Sequence, residues 1–154
     1  MFTLQESPID IAKLKDAHSG PNNGAMVAFE GIVRADTKTA CSPKLNAETS
    51  QRRRVSSLTY IADAPVCNAE GAKIIKECLS LFPVTYAVCV QRIGQVHVGE
   101  TAIWIGVWAG HRDEAFKGCR HIIEEVKKRL LIWKKEHYAD GSSAWIHGQQ
   151  TVTS

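Results

Sequence analysis

"ETAIWIGVWAG" (100–110), followed directly by "HRDEAFKGCRHIIEEVKKRL" (111–130), sets the fold class of this chain. The first part predicts an apolar strand in which Trp104 and Trp108, four residues apart, share one face. Packing in a core or an interface explains such a pair better than stacking on nucleic-acid bases does. The second part predicts a strong amphipathic helix. Its apolar stripe is expected to comprise Phe116, Cys119, Ile123, Val126 and Leu130.

The N-terminal part of the chain predicts one short helix and one strand. Ser7-Pro8, followed by Asp10, marks a helix start with proline at the first position, and the helix is expected to run to about Ala17. "GAMVAFEGIV" (24–33) alternates as a half-buried strand does. Its inward face is expected to consist of Val27, Phe29 and Val33.

A long polar segment, residues 35–57, follows that strand and contains Arg52, Arg53 and Arg54 in a row. Ordered loops of this length are uncommon, so the segment is either functional or mobile. We expect a flexible loop over 36–54 that trypsin cleaves at the three arginines.

The middle of the chain predicts strand, helix, strand. "SLTYIA" (57–62) is a strand, and Asp63 then caps a helix that carries Pro65 in its first turn and stops before Pro83. "TYAVCVQRIG" (85–94) is the next strand, and the turn-rich "GQVHVGE" connects it to the tryptophan strand. With a strand-like tail after residue 138, this order predicts an α+β fold with helices on a largely antiparallel sheet.

Bulk composition indicates one soluble domain over residues 1–154. Hydrophobic residues make up 44% and charged residues 23% of the chain, and the net charge is +3, which permits an anionic ligand. No apolar run has the length of a membrane span, and "MFTLQESPID" does not resemble a signal peptide. The five cysteines include no CxxC pair, and Cys67, Cys78 and Cys89 are interpreted as buried thiols of a reducing compartment. We therefore expect a cytoplasmic protein.

"KKRLLIWKKE" (127–136) places two lysine pairs seven residues apart around a tryptophan. If the helix continues through it, Lys127 and Lys134 point in nearly the same direction, because seven residues make almost two turns. One interpretation is a solvated basic face at the negative end of the helix dipole. The other is a paired-lysine site for an anionic substrate.

Other cations stand at the ends of predicted elements. His111 and Arg112 begin the long helix, where free N–H groups attract anions, but they also suit simple capping, and both interpretations stay open. Arg34 and Arg92 each follow a strand, a position typical of surface arginines. Serine-hydrolase, P-loop and zinc-site motifs are absent from the sequence.

Four segments in this order, "GAMVAFEGIVR", "RIGQVHVGE", "HRDEAFKGCRHIIEEVK" and "IWKKE", resemble the large, catalytic subunit of molybdopterin synthase, the MoaE family. The resemblance covers roughly residues 20–145. It implies an α/β hammerhead fold with a mainly antiparallel sheet and a small extra β subdomain. It also implies a homodimer that binds one small subunit at each end.

The resemblance also implies an activity. The family transfers sulfur to cyclic pyranopterin monophosphate and so forms the dithiolene of molybdopterin. The sulfur arrives as a thiocarboxylate on the Gly-Gly C-terminus of a small ubiquitin-like carrier subunit. No cofactor or metal is expected, and neither nucleic acid nor membrane is an expected partner.

By the same resemblance, Lys127 and Lys134 are the catalytic residues. The substrate-binding residues it implies are Phe29, Arg34, His111 and Arg112. We expect all the cations to converge on one anion pocket. Lys127, next to the apolar stripe and other cations, should have a lowered pKa and act as proton shuttle or transient acyl acceptor. Lys134 should stay charged.

Several positions depart from the family pattern. Gln91 stands where the family has histidine, Leu131 where it has proline, Ile61 where it has an acid, and Val66 where it has methionine. The tail after Trp145 contains no lysine or arginine. These positions alter the rim around an intact central pocket.

Two alternatives remain beside the synthase. One is a catalytically weakened paralogue that keeps the dimer and the carrier-binding groove. The other is a nucleic-acid-binding α+β module that uses Arg52 to Arg54 and the lysine helix. The homodimer itself is expected partly because the tryptophan strand offers more apolar surface than one chain of this size hides.

Overall fold

The computed structural model describes residues 1–39 and 52–146. The helices of these ranges are α1 (Ile11–Asp16), α2 (Ala64–Leu81) and α3 (Arg112–Arg129). The strands are β1 (Phe2–Gln5), β2 (Ala25–Ile32), β3 (Thr37–Thr39), β4 (Arg52–Ala62), β5 (Val84–Arg92), β6 (Gly94–His97), β7 (Thr101–Ala109), β8 (Ile132–Tyr138) and β9 (Ser143–Ile146). None of the helices in these ranges is both long and apolar enough to cross a membrane.

The first sheet, here called the main sheet, has the strand order β1-β5-β7-β2. β1 pairs in parallel with β5, whereas β5–β7 and β7–β2 are antiparallel. Strand β7 therefore lies inside the sheet, and every residue from Ala102 to Ala109 is buried. The continuous apolar sequence of this strand is explained by coverage on both faces.

Helices α2 and α3 cover one face of the main sheet. They contribute Ile74, Ile122 and Val126 to a core cluster that also contains Ile105 and Val107 of β7. Half-buried Phe29 of β2 packs against the same cluster. Burial of this helix–sheet interface is the main source of hydrophobic stabilisation for the fold.

The opposite face of the main sheet carries the two tryptophans. Trp104 and Trp108 are buried with Val88 and Val90, and α1 packs over them through Ile11 and Leu14. Core packing of the pair is thus confirmed. The expectation that this strand leaves apolar surface exposed is wrong, because α1 covers it within one chain.

The second sheet contains β3, β4, β6, β8 and β9, with β4 paired to β3, β6 and β8. A cluster of Val33, Tyr60, Val96 and Ala102 joins it to the main sheet. The expected α+β fold, with a mostly antiparallel sheet and an extra β unit, is confirmed.

Three local expectations are wrong. Helix α1 begins at Ile11 with Asp10 as its N-cap, whose carboxylate accepts a hydrogen bond from the Lys13 N–H, so Pro8 lies outside it. "GQVH" is strand β6, because β4 supplies a partner that the turn-rich sequence does not reveal. Arg92 is buried, and its guanidinium donates to Glu100 and to the Glu6 carbonyl.

The polar segment also differs from its expectation. Strand β4 already begins at Arg52, and β3 pairs with it from Thr37 to Thr39, so the arginines lie in a β-ladder. Arg53 forms an ion pair with Asp140 at 3.5 Å. Residues 40–51, on which the rest of the loop expectation falls, lie outside the described residues, as does the tail after Ile146.

The lysine segment is not one continuous helix. α3 ends at Arg129, and β8 starts at Ile132, so Lys127 and Lys134 lie on different elements. The predicted apolar stripe of α3 holds for Cys119, Val126 and Leu130, but Phe116 is 62% exposed. The helix instead turns Ala115, Gly118 and Ile122 towards the sheet.

The tryptophan layer makes Gly106 a sensitive position. A methyl group there would come within 2.3 Å of the Trp104 ring and 2.9 Å of the Trp108 ring. We expect Gly106→Ala to lower the free energy of unfolding by roughly 1–3 kcal/mol, because buried rings cannot move aside freely. Urea unfolding measures this change.

Gly110→Ala is the matched control, because a methyl group at Gly110 meets no heavy atom within 4 Å. We expect its free energy of unfolding to stay within about 0.5 kcal/mol of the parent value. Equal effects of the two substitutions would contradict the packing described for the tryptophan layer.

Candidate active site

Lys134 lies on the inner face of β8, above a buried aromatic ring. Its register partners are Tyr60 of β4 and Ile146 of β9. The Lys134 Nζ atom is 5.7 Å from the centroid of the Tyr60 ring. Tyr60 is only 7% exposed, and burial raises the pKa of its hydroxyl to about 12. The amine of Lys134 therefore stands half-buried over a neutral aromatic surface.

This environment lowers the pKa of Lys134 from the ordinary lysine value. Burial of the amine is the largest cause, and the positive charge of Lys127 is the second. Among the ion pairs formed within residues 1–39 and 52–146, none involves Lys134. At a given pH, Lys134 is thus neutral more often than a free lysine, which suits a proton acceptor.

Lys127 lies in the last turn of α3 and is exposed. The next two cations of that turn have acidic partners: Lys128 pairs with Glu125, and Arg129 pairs with Glu70, Glu77 and Glu125. The expectation that Lys127 carries the desolvated amine does not agree with its exposure, whereas the catalytic roles of the two lysines stay a prediction. The half-buried amine is that of Lys134, because its side chain lies on the covered face of the second sheet. Lys127 is exposed in the last turn of α3.

Phe29 and Arg34 come from β2 and the residues after it. Phe29 packs against the cluster that contains Val126 of α3. Val33 is buried with Tyr60, so Arg34 leaves the fold at the same end as Lys134. The Arg34 side chain is 79% exposed and forms an ion pair with Asp36 at 2.9 Å.

His111 and Arg112 lie at the other end of α3. His111 is the N-cap residue, but its side chain makes no capping hydrogen bond. Fifteen residues separate Arg112 from Lys127, which corresponds to about 22 Å along the helix axis. One chain therefore holds two cation sets. Lys127, Lys134 and Arg34 form the first set, and His111 and Arg112 form the second.

A small depression adjoins the second set. It has a volume of about 220 Å³ and is lined by Gly24, Met26 and Trp108, among others. Gly24 approaches Gly110, the residue before His111, so closely that a methyl group on Gly24 would lie 2.2 Å from the Gly110 carbonyl oxygen. A second depression, of about 420 Å³, lies on the outer side of α2, and none of its lining residues belongs to either set.

Sequence reasoning missed Tyr60 and the apolar rim beside Lys134. Alternation along "SLTYIA" indicates that Leu58, Tyr60 and Ala62 share the covered face, but it does not reveal the amine above the ring. On the outer face, Ile61 stands directly opposite Trp133, and both are about half exposed. Leu131 and Val66 are also exposed, so the three apolar departures from the family pattern lie at the surface.

In the part of the chain that the structure describes, Cys67, Cys78, Cys89 and Cys119 are free thiols, and all four are buried. Burial raises the pKa of Cys78 and of Cys119 to about 11. These thiols are therefore poor nucleophiles. Within the described ranges, no three His, Cys, Asp or Glu side chains are grouped so that they could hold a metal ion.

Comparisons with known proteins show which family the chain belongs to. The model of the MoaE protein family matches residues 4–129. The molybdopterin synthase catalytic subunit of Synechococcus elongatus is 35% identical over 146 residues, which are 94% of this chain and 81% of that protein. The molybdopterin synthase structure from Staphylococcus aureus superposes with a TM-score of 0.78 at 27% identity and covers 95% of this chain and 96% of that one.

A complex of subunits 1 and 2 of molybdopterin-converting factor from Helicobacter pylori shares the fold, with a TM-score of 0.69 at 18% identity. The match covers 97% of this chain and 91% of that one. The family match spans most of the chain, and the catalytic-subunit relative is more than 30% identical over nearly all of it. The chain therefore belongs to the MoaE family.

Proposed function

We propose that this chain is the catalytic subunit of a molybdopterin synthase. It transfers sulfur from a thiocarboxylated small carrier subunit to cyclic pyranopterin monophosphate and so forms the molybdopterin dithiolene. The observation that carries the assignment is the half-buried amine of Lys134, held over Tyr60 beside Lys127. Membership of the MoaE family and the catalytic-subunit relatives support it.

The partner of the reaction is a small ubiquitin-like carrier with a Gly-Gly C-terminus. The Helicobacter pylori structure is a complex of two different subunits of molybdopterin-converting factor, which supports a two-subunit enzyme here as well. A thiocarboxylate tail and a cyclic phosphate are both anions. The net charge of +3 and the two cation sets suit both ligands.

Lys134 acts as the proton acceptor in the release step. The carrier sulfur has by then bonded to a substrate carbon, and water attacks the carbonyl carbon of the carrier's last glycine. A C–O bond forms and the C–S bond breaks, so sulfur keeps the electron pair and stays on the substrate. The water proton passes to the neutral amine of Lys134, while the charged side chain of Lys127 stabilises the developing oxyanion. Two carriers supply the two sulfurs.

Arg34, His111 and Arg112 are proposed to bind the anionic substrate, with Phe29 supporting the wall behind them. Arginine suits phosphate because its guanidinium donates two parallel hydrogen bonds. The uncapped start of α3 offers backbone N–H groups next to His111 and Arg112. We place the enzyme in the cytoplasm as a single domain over 1–154. The free, buried thiols of Cys67, Cys78, Cys89 and Cys119 support a reducing compartment.

The nucleic-acid alternative is weaker than the synthase. Trp104 and Trp108 are buried, and Arg53 contacts Asp140 and the Tyr138 ring, so these groups are not free to bind nucleic acid.

One assay distinguishes the weakened-paralogue alternative from the synthase. Purified chain, thiocarboxylated carrier and the pterin precursor are mixed, and the dithiolene product is measured by mass spectrometry. Carrier binding without product formation would support the paralogue.

Arginine substitution tests the roles of the two lysines. We expect Lys134→Arg to reduce product formation at least about 100-fold, because arginine stays charged and cannot take the proton. Lys127→Arg should keep a large part of the activity, because it preserves the charge. Initial rates in the same mass-spectrometric assay measure both effects.

Lys135→Arg is the matched control, because Lys135 is the neighbour of Lys134 on the opposite face of β8, over the Trp145 ring. Its rate should stay close to that of the parent. If Lys134→Arg works as well as Lys135→Arg, Lys134 is an electrostatic contact and the proton transfer assigned to it is wrong.

The lowered pKa of Lys134 also predicts a cost in stability. Between the pKa of Lys134 in the folded protein and its higher pKa in the unfolded chain, the unfolded chain binds more protons than the folded protein. The free energy of unfolding of the parent therefore rises with pH through that window. Below the folded-state pKa, Lys134 is charged in both states, and the full cost of burying its charge lowers the free energy of unfolding. We expect Lys134→Met to raise the free energy of unfolding at pH 7 by on the order of 1 kcal/mol.

Urea unfolding at several pH values measures this difference. The advantage of Lys134→Met should shrink as the pH approaches the range in which Lys134 loses its proton. Lys76→Met, at an exposed position of α2, is the control and should show no such trend. A Lys134→Met advantage that is independent of pH would show that the amine carries no penalty in the folded state.

A further inference from the structure

Arg129, the last residue of α3, joins the end of that helix to α2. Its guanidinium donates to Glu70 and Glu77 of α2 and to Glu125 of α3. Nη1 and Nη2 donate to different oxygens of Glu77, which is the paired geometry typical of arginine with a carboxylate. With the bonds from Nε and Nη2 to Glu70, the five N–H donors of the guanidinium are all used. These four residues are here called the α2–α3 clamp.

The clamp is sheltered, and its charges are balanced. The side chains of Arg129, Glu70 and Glu125 are between 22% and 26% exposed. Lys73 pairs with Glu70 at 3.1 Å and Lys128 pairs with Glu125 at 3.7 Å, so three cations face three carboxylates. Hydrogen bonds from Arg129 lower the pKa of both α2 carboxyls from the ordinary glutamate value, so both stay ionised at neutral pH.

The chain crosses from α3 to the second sheet directly after the clamp. Leu130 and Leu131 are the two residues between α3 and β8. Leu130 is extended, so α3 ends without the left-handed residue that often closes a last turn. The Ile132 N–H donates to the Leu130 carbonyl at 3.0 Å, and the Cys67 thiol of α2 donates to the Leu131 carbonyl at 3.7 Å. Helix α2 therefore contacts the chain both before and after the end of α3.

Lys127 and Lys134 lie on the two sides of this connection. Lys127 precedes Arg129 by two residues, about 200° around the helix, so Arg129 turns to α2 while Lys127 faces the other way. Burial and the positive charge of Lys127 together lower the pKa of Lys134. Because helix ends fray, a last turn without a clamp would carry Lys127 away from this position.

We propose that Arg129 is a positioning residue of the active site, which fixes Lys127 relative to Lys134 by tying the last turn of α3 to α2. This rests on the proposed function, which makes the two lysines the catalytic pair. The donors of Arg129 are occupied by carboxylates, so Arg129 acts through Lys127 and not on the substrate.

Titration of Lys134 tests the clamp without substrate. The full chain is isotope-labelled at the lysine ε-carbon, and the NMR signal of Lys134 is identified by its absence from Lys134→Met. The titratable groups around this amine include Tyr60 of β4, Lys127 of α3 and Glu136, two residues further along the same face of β8. We expect Arg129→Met to move the midpoint of the Lys134 titration to higher pH. A loose helix end weakens both causes that disfavour the ammonium form.

A change on the other helix separates position from electric field. Glu70→Ala and Glu77→Ala, made together, release α2 from the clamp and leave Arg129 in place. The loss of two negative charges would by itself move the Lys134 midpoint to lower pH, because nearby anions favour the ammonium form. We expect the opposite, a shift to higher pH, because Lys127 is no longer held. A shift to lower pH, or no shift, overturns the proposal.

Arg120→Met is the matched control. Arg120 also lies on α3 and pairs with Glu124, but both side chains are mostly exposed and the pair lies within one helix. It removes the same charge without loosening the helix end, so its Lys134 midpoint should equal that of the parent. A shift as large as that of Arg129→Met would overturn the positioning role.

Arg129→Lys keeps the charge but not the paired geometry. Its Lys134 midpoint should lie between those of the parent and Arg129→Met. Circular dichroism shows whether each variant is folded, and if Arg129→Met is not, the double variant on α2 decides.

Reaction rates give a second measurement. We expect Arg129→Met to lower kcat roughly 10-fold near pH 7 and to leave the KM for the pterin precursor within about twofold, because the groups that bind substrate stay in place. The deficit should shrink as the pH rises, since more Lys134 is then neutral. A change in KM alone would place Arg129 at the substrate and overturn the positioning role.

The outcomes separate this inference from the proposed function. If the parent forms no product with thiocarboxylated carrier and pterin precursor, the proposed function fails, while the titration of Lys134 still decides whether the clamp positions Lys127. If the parent is active and neither clamp variant moves the Lys134 midpoint, the proposed function stands and the positioning role of Arg129 is wrong.

Discussion

The close packing of α3 on β7 at Gly118 governs where the charged groups of this protein lie. A methyl group on Gly118 would come within 3.1–3.2 Å of Val84, Cys78 and Val107, so the helix backbone sits directly on the sheet. From there α3 runs back along β7 and β2 as a rigid rod. Its uncapped start and its lysine end therefore lie at opposite ends of the strands of the main sheet, about 22 Å apart along the helix axis.

The half-buried amine of Lys134 shows how the second sheet serves the chemistry. Tyr60 of β4 and Ile132 of β8 pack into the junction of the two sheets, and Lys134, two residues after Ile132 on β8, lies over the Tyr60 ring. Burial and the nearby charge of Lys127 both disfavour the ammonium form. The proposed proton acceptor thus lies where the fold disfavours the ammonium form, a compromise between stability and chemistry that is common at functional sites.

Three exposed apolar residues distinguish this chain from the family pattern. Ile61, Val66 and Leu131 replace residue types that the family pattern favours, and all three are exposed. Ile61 lies opposite Trp133. Exposed apolar groups do not disturb the core, so these departures leave the fold intact. They change the protein surface, whereas Tyr60, Lys127 and Lys134 match the family pattern.

The sequence by itself determined the element types, the capped start of α2 at Asp63, the inward tryptophan pair and the membership of the family, because periodicity, caps and motif order are local properties. The sequence predicted β6, β8 and the pairing of β3 with β4 at Arg52 to Arg54 poorly, since each depends on a partner strand distant in the chain. Lys127 and Lys134 were correctly paired, but only the tertiary structure decided which amine is buried. Likewise, Arg112 and Lys127 belong to one motif in the sequence, yet the length of α3 separates them. Burial and distance are set by packing across elements, which no local pattern encodes.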